Sequence, residues 1–240
     1  MKRSTTAATA AVGGLALAGI AVGLWLAITS PPDVFQHEYV RIMYIHVPGS
    51  WLAFLAFGVT ALGSLGWLVT KRAWFDRLAE ASAEIGVLFT GIALFTGMLW
   101  GQAVWGIFWD WGDPRLSSTA LMFFVYLGYM ALRRATIDPE QRARRSAVLG
   151  MVAVVQVPLV YFSVNLWRSL HQGMTVRPDG VTMEGSMVAA LLTNLAAFTL
   201  LYLYLLIQRV RLARIEERSP ARSDDLAGMS VTAPNLDRLT

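Results

Sequence analysis

The chain has 240 residues, of which 55% are hydrophobic and only 15% charged. Soluble domains carry about 25% charged residues, so an ordinary water-soluble globule is excluded. The net charge of +4 comes from basic residues that stand beside apolar runs and form no compact basic domain, which argues against nucleic acid as a partner. With no cysteine in the chain, disulfides, thiol redox chemistry and thiolate metal sites are excluded as well.

Six apolar segments follow one another, at about 7–29, 47–70, 84–103, 117–133, 146–165 and 186–208. Each approaches the roughly 20 helical residues that cross a hydrocarbon layer of about 30 Å. The expected fold is therefore an all-α membrane protein of six transmembrane helices over residues 1–208, with a polar tail over 209–240. The first segment follows Lys2 and Arg3 as a secretory signal would, but at about 23 residues it exceeds the roughly 7–15 of a signal core. It reads as a retained span. Pro48 is expected in the first turn of the second helix, where a missing N–H costs nothing. Pro158 lies inside the fifth segment and is expected to kink it.

Orientation follows from the basic residues. With the N-terminus inside, only Arg41, Arg115, Arg168 and Arg177 of the 20 Lys and Arg fall on the outer side. Such a bias places both termini in the cytoplasm. The same arrangement puts no acidic residue deep in a span. It also sends all three histidines, His37, His46 and His171, to the outer side.

Between the third and fourth segments lies "WGIFWDWGDPRLSS", residues 105–118. Tryptophan belts normally form at both membrane interfaces. Here Trp25, Trp51, Trp100, Trp105, Trp109, Trp111 and Trp167 map to the outer side and only Trp67 and Trp74 to the inner. That asymmetry points to a use for the rings beyond a belt. Trp105 and Trp109 are four apart, so a short interfacial helix ended by Gly112 and Pro114 would set both on one face beside Phe108. A flat aromatic shelf of this kind suits a planar, apolar, metal-bearing ligand.

The histidines complete that picture. His46, in "YIHVPGSW", and His171, in "NLWRSLHQGMTV", sit at span ends, whereas His37 reads as a peripheral, solvated residue. Neutral imidazole is a good iron ligand, and two of them from separate loops would fill both axial positions of a haem. An iron so ligated has no open site for oxygen, which suits hand-over of the group. Arg115 is the best placed partner for a propionate, ahead of Arg168 and Arg177. A salt bridge from Arg115 to Asp110 or Asp113 is the alternative.

These residues resemble a known family. The loop is similar to the tryptophan-rich WWD signature of the haem-handling cytochrome c assembly proteins, and most closely to their haem exporter C (CcmC) branch. Trp105, Gly106, Trp109, Trp111, Asp113, Arg115, Leu116 and Ser118 match that signature, while "IHVP" and "NLWRSLHQ" match its two flanking segments. Phe108, Ser117 and Leu166 depart from it, and Gly112 is an insertion before Asp113. The resemblance implies a non-enzymatic, multi-pass protein of the bacterial inner membrane with a short periplasmic aromatic segment. It implies that haem b is bound through His46 and His171, with Trp105, Gly106, Trp109, Trp111, Asp113 and Arg115 around it. The implied partners are the periplasmic haem chaperone CcmE, the exporter subunits CcmA and CcmB, the small subunit CcmD, and membrane lipid. The chain has no GxxxxGK[ST] loop of its own, so nucleotide would be bound by a partner.

Two other classes of protein bear on the same residues. A docking subunit that binds no haem would use the same tryptophans as contact residues for a periplasmic protein. An ion or solute channel is disfavoured, since residues such as Gln156 and Asn194 are scattered and form no charged pathway.

Overall fold

A computed structural model describes residues 2–171, 176–177, 180–181 and 183–217. Its helices are α1 (Lys2–Thr29), α2 (Met43–Thr70), α3 (Ala73–Trp105), α4 (Pro114–Ala135), α5 (Pro139–Ala153), α6 (Gln156–Leu166) and α7 (Gly185–Glu216), with a short 3₁₀ helix at Glu38–Ile42. Two-residue strands β1 (Val176–Arg177) and β2 (Gly180–Val181) pair antiparallel between α6 and α7. Counting α5 and α6 as one, six helices among the described residues are long and apolar enough to cross a membrane. The protein is an all-helical, multi-pass membrane protein.

Helices α2 and α3 form the central antiparallel pair, α1 packs on α7, and α4 with α5 and α6 closes the other side. The core is sealed by close contact of rings. Phe57 of α2 stacks on Tyr126 of α4 with centroids 3.5 Å apart, and both are fully buried.

The fifth segment breaks where its sequence says it must. Pro158 has no N–H to offer the carbonyl four residues back, and its ring crowds that carbonyl. The chain accordingly leaves the α-helix at Val154–Val155, and the freed Val154 carbonyl accepts instead from the Val157 N–H at 3.0 Å. Pro48 behaves otherwise. Because α2 starts at Met43, the proline lies inside the helix and not in its first turn.

Two segment borders move for an electrostatic reason. Helix α3 begins at Ala73, taking in Asp76, Glu80 and Glu84, which recur every four residues and so share one face. A hydropathy border excludes such residues, yet here each meets a cation. Arg133 of α4 binds Asp76 at 2.7 and 3.0 Å and Glu80 at 2.9 Å. Arg209 of α7 pairs with Glu84, and α7 continues to Glu216, past the apolar segment that ends near residue 208. Of the tail, residues 218–240 lie outside the described part.

Arg133 is only 3% exposed. Arg133→Ala would strand two carboxylates beside each other in partly buried surroundings, a change that costs about 3–5 kcal/mol when a buried ion pair loses one partner. The expected result is a clear drop in the thermal unfolding midpoint in detergent, with Arg133→Lys intermediate because it restores charge without the two-pronged geometry.

Candidate functional site

The end of the bundle that carries the tryptophan loop gathers the C-terminal ends of α1, α3 and α6 and the N-terminal ends of α2, α4 and α7. A cavity of about 610 Å³ opens there, within the size range of small-molecule sites, about 300–1,000 Å³. His46 of α2 and His171 of the segment after α6 both line it, as do Trp51, Trp100, Trp105 and Arg115. Residues 125 positions apart in the chain thus share one wall.

The tryptophan segment is not a helix. Gly106 takes φ +76°, the left-handed conformation that ends helices at glycine, and its N–H bonds the Gln102 carbonyl at 3.2 Å. Trp105 is therefore the last residue of α3, while Trp109 lies beyond the break. The expected shelf is split in two. Trp105 sets its edge against the His171 ring, with centroids 5.0 Å apart at 67°. Trp109 and Trp111 pack on each other at 5.1 Å and do not line the cavity; Trp111 is 74% exposed. Gly106 is likewise outside the lining.

Asp113 is the hinge of this region. The inserted Gly112 is absorbed in a turn: the Gly112 N–H donates to Asp110 Oδ1 at 2.7 Å and the Asp113 N–H to the Asp110 carbonyl at 3.2 Å. That turn delivers Asp113 as the N-cap of α4, with Pro114 at the first helical position. Its Oδ1 accepts from the Arg115 and Leu116 N–H groups, both at 3.0 Å. Its Oδ2 accepts from Ser169 Oγ and the Leu170 N–H, both at 2.7 Å. His171 Nδ1 stands 3.3 Å from Oδ1. One carboxylate thus ties the start of α4 to the segment that carries the histidine.

The electrostatics follow from these contacts. Burial disfavours the charged form of Asp113, but the Leu116, Ser169 and Leu170 hydrogen bonds and the neighbouring His171 outweigh it and hold the carboxyl below its usual range. For His171, burial dominates over the attraction of Asp113 and lowers the imidazole pKa, so the ring is neutral at pH 7. Nδ1 lies 3.3 Å from both Asp113 Oδ1 and Ser169 Oγ, so Nε2 is the nitrogen left for a ligand. A carboxylate behind a ligating imidazole fixes its orientation and raises its basicity.

His46 has a different support. Its Nδ1 lies 3.1 Å from Thr96 Oγ1 of α3, and its ring meets the Trp100 edge at 5.6 Å. His37 is exposed and is not part of the cavity wall.

Arg115 reaches the cavity but makes no ion pair with Asp110 or Asp113 among the described residues. Its Nη2 donates to the Tyr161 carbonyl at 2.9 Å, and its Nε is buried without a hydrogen-bond partner. Arg168 is exposed and does not line the cavity, and the Arg177 side chain lies outside the described part. The sequence reading missed Thr96 and Ser169, which belong to no aromatic or histidine pattern. It set Trp51 and Trp100 on the same side as the tryptophan loop without assigning them a place in the site.

Two imidazoles, a largely apolar, ring-lined cavity and one arginine with a spare donor thus meet at one end of a multi-pass membrane protein. Comparison with known proteins narrows the class. Residues 1–224 match the family CcmC, Heme exporter protein C. The chain is 43% identical over 193 residues to the Heme exporter protein C of Bradyrhizobium diazoefficiens, covering 80% of this chain and 73% of that one. It is 38% identical over 191 residues to the protein of that name from Paracoccus denitrificans, covering 79% of each chain. With the Escherichia coli K12 protein of that name it shares 32% over 212 residues, 86% of this chain and 85% of the relative. The chain belongs to the heme exporter protein C family of cytochrome c biogenesis, membrane components of transport and not catalysts in name.

Proposed function

We propose that the protein binds haem b at the periplasmic face of the bacterial inner membrane and delivers it to the periplasmic haem chaperone CcmE during cytochrome c maturation. His46 and His171 are the axial ligands. The carrying observation is that these two histidines, from α2 and from the segment after α6, line one apolar cavity with each Nδ1 already engaged. Each therefore offers Nε2, the nitrogen an iron atom would take.

Haem is cargo here, and the residues act by holding it. Trp100 and Trp105 supply apolar edge and face contacts, while the buried, unpartnered Nε of Arg115 fits a propionate oxygen. Asp113 works behind His171 instead of touching the cargo. Both termini lie in the cytoplasm, a reading supported by the arginine bias of the loops. The exporter subunits CcmA and CcmB and the small subunit CcmD complete the assembly, and nucleotide is bound by a partner, since this chain has no GxxxxGK[ST] loop.

A second reading is favoured by one observation: Trp111 and Phe108, 74% and 52% exposed, stand away from the cavity. This half of the loop serves as a docking surface for the chaperone, as exposed aromatic residues do at interfaces. A subunit that only docks, and binds no haem, would need nothing more.

The test is a transfer assay. Purified protein loaded with ferric haem is mixed with purified chaperone, the two are separated, and haem is followed by absorbance. Haem on the chaperone supports delivery; haem that stays with the membrane protein, or never loads, refutes it. Capture of the chaperone by a variant lacking both histidines, with cytochromes maturing normally, would establish the docking-only subunit.

A further inference from the structure

The orientation of His46 is set by α3, through residues that no motif of the sequence marks. Thr96 Oγ1 donates its hydrogen to the Ile92 carbonyl at 2.7 Å, with the Ala93 carbonyl at 3.2 Å. A hydroxyl has one proton to give. With that proton on its own helix, Thr96 accepts from His46, an arrangement that puts the imidazole proton on Nδ1 and the lone pair on Nε2; the Ala93 carbonyl is a further acceptor for the ring.

Two neighbours complete the seat. A methyl group at Gly97 would stand 2.9 Å from His46 Cε1, so the ring lies directly against the α3 backbone at a position where any side chain would displace it. One turn from Thr96, Trp100 presents its edge to the ring at 71° and is itself fixed, its Nε1 donating to Gln36 Oε1 at 2.9 Å. Hydrogen bond, backbone contact and aromatic edge all act on the same imidazole.

We propose that Thr96 is a positioning residue that holds His46 in its Nδ1–H form and aims Nε2 at the iron of a haem in the cavity, with Gly97 and Trp100 confining the ring. The iron half of this inference rests on His46 being an axial ligand; the tautomer half does not. An alcohol behind His46 and a carboxylate behind His171 also make the two ligands unequal, since only the carboxylate lends anionic character to its imidazole.

The experiment compares Thr96→Val, which keeps the shape and loses the oxygen, with Thr96→Ser, which keeps the oxygen. Haem-free protein labelled with ¹⁵N-histidine is examined by NMR at a pH where imidazole is neutral, with His46 assigned through His46→Ala. Wild type and Thr96→Ser are expected to show protonated Nδ1, and Thr96→Val to lose that form. An unchanged His46 signal in Thr96→Val overturns the proposal. Titration with haemin is then expected to give about 10–100-fold weaker binding for Thr96→Val, the usual cost of losing an outer partner of a metal ligand, with rescue by Thr96→Ser. Normal affinity and an unmoved low-spin spectrum despite the altered tautomer would overturn the positioning role. Should Thr96→Val fail to fold, Gly97→Ala, which displaces the ring while keeping the Thr96 hydroxyl, is expected to show the same haemin defect. A haemin spectrum unaffected by His46→Ala would remove the ligand assignment alone, leaving the tautomer result to stand or fall by the NMR.

Discussion

His46→Ala and His171→Ala are each expected to abolish the six-coordinate, low-spin spectrum of the haemin-loaded protein. The two rings line one cavity from positions 125 residues apart, one near the start of α2 and the other tied through Asp113 to α4. Neither can stand in for the other. Removing one leaves five-coordinate iron, read as a broadened, blue-shifted Soret band, and removing both should prevent stable loading. The affinity loss should exceed the about 10–100-fold that follows from losing an outer partner, because a direct ligand is gone. His37→Ala is the control: the side chain is exposed and is not part of the cavity wall, so its spectrum should match wild type. If both single variants kept a low-spin spectrum, the ligand assignment would be wrong, whatever the family name says.

Asp113 gives the second large effect, and its two jobs can be separated. Asp113→Ala removes a helix N-cap, worth about 0.5–2 kcal/mol. It also strands the Leu170 N–H and Ser169 Oγ that now share Oδ2, at about 1–3 kcal/mol for each group left buried and unpaired. A lowered unfolding midpoint and weak haemin binding are both expected. Asp113→Asn retains the cap, since asparagine is as good an N-cap as aspartate. It loses the negative charge beside His171 Nδ1. Its amide nitrogen replaces Oδ2 and cannot accept from the Leu170 N–H, so its unfolding midpoint should fall, but less than that of Asp113→Ala, while haemin binding falls by about 10–100-fold. Equal loss of stability in both variants, with affinity following stability, would reduce Asp113 to a structural cap.

The unequal success of the sequence reading at this site has a physical basis. The histidines were legible because they are scarce and sit at span ends, where the hydrocarbon boundary limits where a side chain can go. The aromatic shelf was misread because spacing alone cannot tell a helix from a turn. Trp105 and Trp109 have helical spacing, yet Gly106 at positive φ ends α3 between them. Gly112 is an insertion before Asp113 relative to the family signature. The Asp110 turn takes up the extra residue and returns Asp113 to a capping position with five polar contacts.

The sequence by itself determined the solvent of this protein, the number of its spans and the break at Pro158. These are local matters: whether some 20 residues can leave water, and whether a proline can lend its nitrogen to a helix. Only the tertiary structure decided that α3 extends back to Ala73, that the tryptophans divide between cavity and surface, and that Thr96 and Asp113 stand behind the two imidazoles. Carboxylates enter the helix because Arg133 and Arg209 arrive from other helices, and an imidazole's tautomer depends on the partner that packs against it. Such pairings join residues dozens of positions apart, and composition and spacing carry no record of them.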